Sequence, residues 1–322
     1  MNNTNKKYYR GISGILAEKF RMSCLYDLYK SHKDELIIGI RNDYLNIYYN
    51  CDSIAKVKLV KGKLICEING YYLREQHVVK KLNSTAIKTK IVDRYDDIKS
   101  RREKQKKEEK KAQQRLYIQN NKNVNSDWVC IDVEWVKQFE NKATKKAADF
   151  NGRFDIIAVS KNAPHRVALI ELKYGKKALG GNSGVKKHLD DFSAFIEKGY
   201  YESLKEELHA IIESFNLLGI FNPVEKPLIF SPKPEFYFLV LNNSEEPGKP
   251  TAKQTMAAYL FEKATPEFKK WKCKRASTME KPTWNIMDKD SKLPVTCLFS
   301  KSTLTTMSIT NILNVEDYDD AE

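Results

Sequence analysis

The chain has 322 residues, 41% of them hydrophobic and 30% charged, enough for one large domain or two ordinary ones with a buried core. No apolar run approaches the ~18–20 residues of a membrane helix, and the opening MNNTNKKYYR holds no signal-peptide apolar stretch. Six widely spaced cysteines form no CxxC pair, so a membrane protein, a fibre and a disulfide scaffold are excluded, and a cytoplasmic protein with reduced thiols is expected.

The net charge of +14 is unevenly spread. Residues 1–127 carry 28 Lys/Arg against 15 Asp/Glu, whereas residues 128–322 carry 28 against 27. A basic surface in one half points to a polyanion partner, because Lys and Arg displace phosphate counterions. An ordinary lysine-rich, solvated surface is the other reading.

Residues 12–32 place Ile15, Leu16, Phe20, Leu25 and Leu28 near helical spacing and predict one helix. Four β-favouring runs follow: Glu35–Arg41, Tyr44–Tyr49, Ile54–Val60 and Lys63–Ile68. Turn residues separate them, so the pattern predicts an antiparallel meander in a small α+β module over 1–98. Residues 99–127 read as a charged helical linker; from Arg101 to Ala112 they hold seven basic and three acidic side chains. That helix either lies along a nucleic-acid backbone or is a solvated connection.

From Trp128 the pattern becomes α/β. WVCIDVEW (128–135), RFDIIAVS (153–160) and RVALIELKY (166–174) predict strands, Val185–Lys198 an amphipathic helix, and 200–221 a second helix. Glu235–Leu241 predicts a further strand and Thr251–Lys263 a helix; the remainder reads as irregular. The domain so predicted spans 128–313, followed by a disordered acidic tail over 314–322.

Alternation along Val167–Tyr174 puts Leu169, Glu171 and Lys173 on one face. Asp155 interrupts the apolar run 154–159, and Asp132 and Glu134 share a face in the first strand. Three consecutive strands thus bring acid into apolar runs, which is costly without compensation. Hard oxygen ligands suit Mg²⁺ or Mn²⁺ as that compensation, with Lys173 positioned to orient or deprotonate a water.

Asp155, fifteen intervening residues, then Glu171-Leu172-Lys173 resembles the D…(D/E)xK signature of the PD-(D/E)xK nuclease superfamily. His188-x-x-x-Phe192 in the following helix is similar to the QxxxY element of its RecB-like branch. Here His replaces Gln, Phe replaces Tyr, and no Pro precedes Asp155. The resemblance covers about residues 128–243 and implies a restriction-endonuclease-like mixed sheet flanked by helices. It further implies that Asp155, Glu171 and the Leu172 carbonyl bind metal and that Lys173 handles the nucleophilic water. The upstream acid is expected to be Glu134, with Asp132 second; in many members it comes from the preceding helix, which here offers Glu103, Glu108 or Glu109. The implied activity is a Mg²⁺-dependent DNA endonuclease, DNA ranking ahead of RNA, with a role in restriction or phage defence. A homodimer that cuts both strands is a further implication. An inactive scaffold that keeps nucleic-acid binding is the alternative, and no membrane partner is expected.

Tyr174–Gly184 (YGKKALGGNSG) holds four of the thirteen glycines. Backbone N–H groups ahead of a helix can approach phosphate there, flanked by Lys176, Lys177, Lys186 and Lys187, with Ser183 as a helix cap. A flexible connection with solvated lysines is the other reading. His188 is either a nucleic-acid-facing catalytic group or a hydrogen-bonded histidine at the core margin. Tyr48, Tyr49, Tyr71 and Tyr72 either stack on bases or pack the meander. No Walker A, GxSxG or zinc spacing occurs, so ATPase and acyl-transfer chemistry lack support.

Overall fold

A computed structural model describes residues 10–180, 184–220, 223–262, 271–274, 284–288 and 293–318. The chain is a mixed α/β protein with two sheets and divides into two compact units. One comprises Met1–Ile118, Gln138–Glu140 and Ser203–Pro223; the other comprises Gln119–Lys137, Asn141–Glu202 and Val224–Glu322. Among the described residues no helix is long and apolar enough to cross a membrane.

In the first unit the helix expected over 12–32 is two helices, α1 (Gly14–Arg21) and α2 (Cys24–Ser31). The Ser23 hydroxyl donates to the Phe20 carbonyl at 2.6 Å, occupying the acceptor at the end of α1. The meander follows as β1 (Ile37–Ile40), β2 (Tyr44–Tyr49), β3 (Asp52–Val60), β4 (Lys63–Asn69) and β5 (Val79–Leu82), each antiparallel to the next. The fifth strand went unread because VKKL carries too few apolar residues to show an alternation. Two of the hairpins close through two-residue turns, Asn50-Cys51 and Lys61-Gly62, with all four residues at positive φ. That is the turn whose twist matches paired strands.

The linker expected over 99–127 is not a solvated connection. Between α3 (Ser84–Lys90) and the second unit the chain forms α4 (Tyr95–Glu103) and α5 (Glu108–Lys122). Arg102, Ala112 and Leu116 are fully buried. Gln114 accepts the Cys51 N–H at 2.7 Å and donates to the Glu35 carbonyl at 2.6 Å, so α5 is bonded to the segment leading into β1 and to the β2–β3 turn. Through Ile118 the segment therefore belongs to the first unit, where its charges are spent on neighbours: Glu103 accepts from Tyr49 (2.5 Å), Asn50 (2.9 Å) and Lys111 (2.8 Å). Residues 203–223 join the same unit. Glu207 from that segment faces Arg10 at 3.7 Å with both side chains about 1% exposed.

In the second unit a seven-stranded sheet runs in the order β10-β11-β12-β9-β8-β7-β6. From Trp128 the elements in chain order are β6 (Trp128–Val136), α6 (Lys142–Ala148), β7 (Arg153–Ser160), β8 (Val167–Tyr174), α7 (Val185–Glu197), α8 (Tyr200–Leu218), β9 (Glu235–Leu241), α9 (Ala252–Ala257), β10 (Trp271–Lys274), β11 (Trp284–Asp288) and β12 (Pro294–Phe299); of these, α8 belongs to the first unit from Ser203 onward. The last three strands fall where the sequence reads as irregular. β7 is antiparallel to both β6 and β8, while β9 is parallel to both β8 and β12. The near-continuous burial of β8 and β9 reflects central strands covered on both faces. Trp135, Phe154, Phe192, Phe195 and Phe236 form the aromatic core beside α7, with ring centroids 4.7–6.4 Å apart.

The acidic tail expected to be disordered is ordered through Tyr318. Val315–Asp317 form a short 3-10 turn, Asp317 accepts the Asn311 N–H at 3.1 Å, and the buried Tyr318 hydroxyl donates to the Ile312 carbonyl at 2.6 Å. One aromatic residue among the acids supplies the apolar area that fixes them.

Candidate active site

The ladder between β7 and β8 ends at the pair Ile156–Ile170. One residue further on, the Asp155 carboxylate replaces backbone as acceptor, taking the Leu172 N–H at 2.9 Å. This single bond ties the aspartate to the middle residue of the Glu171-Leu172-Lys173 triplet. Asp155 is 7% exposed, Glu171 3% and Lys173 2%.

Glu171 and Lys173 share a face of β8, in register with the buried apolar Phe238 and Val240 of β9. Lys173 Nζ donates to Glu171 Oε1 at 2.8 Å. His188, from the first turn of α7, brings Nε2 to 2.9 Å from the same carboxylate oxygen and 3.1 Å from Lys173 Nζ. The helix is held for this by its apolar stripe: Val185, Leu189 and Phe192 are buried, and the Phe192 ring lies 4.7 Å from Phe236 and 5.4 Å from Phe238. Of the two readings of His188, the structure brings it into contact with the ExK pair. Its signal in the sequence was its place one turn into a helix whose other face is apolar.

Charges so deeply placed are retained only when paired, and pairing recovers at best part of the desolvation penalty. The cluster is thus an expensive arrangement for stability alone, the condition under which a functional site is the usual explanation.

The remaining expected residues divide. Glu134 lies on β6 between Val133 and Trp135, which pair with Ile156 and Phe154 of β7, so its backbone stands across from Asp155. Its φ is 54°, and its carboxylate accepts from Arg153 at 2.9 Å. Asp132 is buried at 1% exposure, beyond a register shift between Cys130 and Asp132, and its carboxylate accepts the Val133 N–H at 2.9 Å. Glu103 is engaged within the first unit as described, and Glu108 and Glu109 open α5 there. Among the described residues no three His, Cys, Asp or Glu side chains are grouped to hold one ion.

In the glycine-rich connection, Gly184 is the N-cap of α7 and Ser183 lies outside the described residues. A Cβ on Gly184 would stand 2.5 Å from the Leu179 carbonyl oxygen, so only glycine fits that approach. Lys186 is half-buried, and Lys187 forms an ion pair with Asp191 one turn along the helix. Lys176 and Lys177 lie on a 3-10 turn after Gly175. The Glu246 carboxyl is held below its ordinary pKa by the hydrogen bond from Lys249 first, with Lys176 and Lys177 adding to the pull.

The tyrosines of the first unit pack and hydrogen-bond within it. Tyr49 donates to Glu103, Tyr72 to Asp52 at 2.8 Å and Tyr71 to the Arg101 carbonyl at 3.2 Å, while Tyr48 accepts from Arg41 at 2.8 Å. Base stacking on these four is therefore replaced by the packing alternative. His165 is buried between two carbonyls, with Nδ1 2.9 Å from Ser160 O and Nε2 3.1 Å from Glu225 O.

Comparison with protein-family models, with curated proteins and with solved structures finds no match for this chain.

Proposed function

We propose that the chain is a metal-dependent nuclease of the PD-(D/E)xK kind that hydrolyses phosphodiester bonds, with DNA ahead of RNA as substrate. The observation that carries this reading is the buried Glu171–Lys173–His188 cluster at the strand end where the Asp155 carboxylate takes the Leu172 N–H. The donor set fits a hard divalent cation. Asp155 and Glu171 supply two carboxylates and Leu172 a carbonyl, and Mg²⁺ commonly uses one or two carboxylates with water and substrate phosphate completing its shell. Mg²⁺ or Mn²⁺ bound there would supply charge neutralisation on the phosphate and lower the pKa of a coordinated water.

The chain's own groups have distinct tasks. Lys173 presents an ammonium toward the reacting phosphate and orients the attacking water. Glu171 holds that ammonium in place, and His188 holds both from the α7 side. Asp155 ties the end of β7 to the middle of the Glu171-Leu172-Lys173 triplet on β8. A role in restriction or phage defence is part of this reading. A second reading, a nucleic-acid-binding protein that has lost cleavage, is favoured by one observation, the hydrogen bond by which Arg153 engages the Glu134 carboxylate.

The two separate in one experiment. Supercoiled plasmid, linear duplex, single-stranded DNA and structured RNA are each incubated with Mg²⁺, Mn²⁺ or EDTA. Cutting that needs the metal and falls by about a thousandfold or more in Lys173→Ala and Asp155→Ala supports the nuclease. Salt-sensitive binding without cutting under every metal supports the second reading.

A further inference from the structure

The first unit carries 28 Lys/Arg against 18 Asp/Glu, a net of +10, while the second carries 28 against 24. Pairing registers show where part of that excess goes. Across β2–β5, Asn46, Lys56, Glu67 and Lys81 form one row on a single face of the sheet, and Tyr44, Lys58 and Ile65 form the next. Lys63 stands beside them, two residues from Ile65 on β4. The other face is the apolar one: Leu45, Ile47, Val57, Leu64, Cys66 and Ile68 are buried there. The polar face thus presents Lys56, Lys58, Lys63 and Lys81 against the single carboxylate of Glu67, which lies 3.3 Å from Lys56 and 2.7 Å from Lys58. Tyr44 and Ile65 lie half-buried among these lysines, with Lys56 Nζ 4.5 Å from the Tyr44 ring centroid.

We infer that this polar face of the five-stranded sheet is a binding surface for single-stranded nucleic acid. A sheet offering flat aromatic and aliphatic side chains between cations lets unpaired bases lie on the former while phosphates meet the latter. Duplex bases are stacked on each other and gain nothing from Tyr44 or Ile65, so the surface selects for strands already open. The charge balance of four lysines to one carboxylate excludes an acidic-surface-seeking basic partner. The inference rests on the nucleic-acid part of the proposed function, but its test reads no cleavage and so fails independently of it.

The full chain is titrated in EDTA against a fluorescein-labelled 20-nucleotide oligothymidine and a duplex of the same length, over a series of salt concentrations. Three variants are compared with the parent: Lys58→Glu/Lys63→Glu/Lys81→Glu, the matching triple Lys→Gln, and Tyr44→Leu. A control of equal charge change, Lys142→Glu/Lys145→Glu/Lys146→Glu, lies on the exposed face of α6. Expected are tighter binding of the single strand than of the duplex and about tenfold or greater weakening in both sheet triples. Their log affinity against log salt should be shallower by about two, from ~0.7 per lost phosphate contact. Tyr44→Leu should weaken binding by about fivefold or more at an unchanged salt slope. Circular dichroism and thermal unfolding establish that each variant is folded; the Gln triple decides if the Glu triple is not. Equal losses in the α6 control, parent-like affinity in the folded sheet triples, or equal affinity for duplex would each overturn the inference.

Discussion

The two units treat charge in opposite ways. In the first, carboxylates sit at the sheet margin and are served by several donors. Burial works against Glu35 and Glu103, yet hydrogen bonds win in both: Lys99, Tyr95 and His32 lower Glu35, and Lys111, Tyr49 and Asn50 bring Glu103 down to about 2. In the second, Asp155, Glu171 and Lys173 are nearly excluded from water; Glu171 and Lys173 bond to each other and to His188, and Asp155 takes one backbone N–H. The first pattern follows from folding and solubility. The second is an arrangement that folding alone would exchange for leucine.

That contrast is most open to challenge at Lys173. Replacing it with Met leaves the Glu171 carboxylate buried without its ammonium, and loss of one partner of a buried pair costs about 3–5 kcal/mol. Urea unfolding should register that loss, and the double variant Glu171→Leu/Lys173→Met should recover most of it while remaining inert in the cleavage assay. A double variant as unstable as the single one would mean that the pair contributes to stability after all, erasing the difference between the units.

A smaller effect is expected at Gly184. Alanine there meets the Leu179 carbonyl at 2.5 Å, and relief requires the start of α7 to shift, for about 1–3 kcal/mol of stability. Because His188 rides on that turn, cleavage should fall more steeply than stability. Proportionate losses would show that the cluster tolerates displacement of its histidine.

The smallest effect concerns the first unit in acid. Glu103 has a folded-state pKa of about 2 against an ordinary 4.5, so its contribution is fully present above pH 4.5 and disappears as pH falls toward 2. Glu35 and Glu67, also lowered, act in the same direction, Glu67 chiefly through its hydrogen bond from Lys58. Equilibrium unfolding between pH 5 and pH 2 should therefore show a shallower acid loss in Glu103→Gln than in the parent. Identical slopes would assign the acid sensitivity elsewhere.

Period-two alternation was enough to place Glu171 beside Lys173 and to read the meander, because both depend on side-chain direction along a regular strand. At Glu134 a positive φ breaks that regularity, at a residue whose identity gives no warning. Local pattern misled over residues 99–118, where a charged composition suggested solvent although Arg102 and Gln114 are buried by hydrogen bonds to backbone carbonyls 52 and 79 positions away. Neither a kink nor a long-range partner is written in local composition. The three late strands were invisible for a related reason: β12 becomes a strand by lying parallel to β9, a pairing across more than fifty residues.

The Arg10–Glu207 pair has a consequence for how the chain must assemble during synthesis. The ribosome delivers Arg10 early and its counterion roughly two hundred residues later, after β6, β7 and β8 have already emerged. Until then the nascent first unit holds that guanidinium without Glu207. The first unit is consequently completed only after much of the second has been made, and a fragment ending at residue 127 would lack this carboxylate, however well its five strands pair.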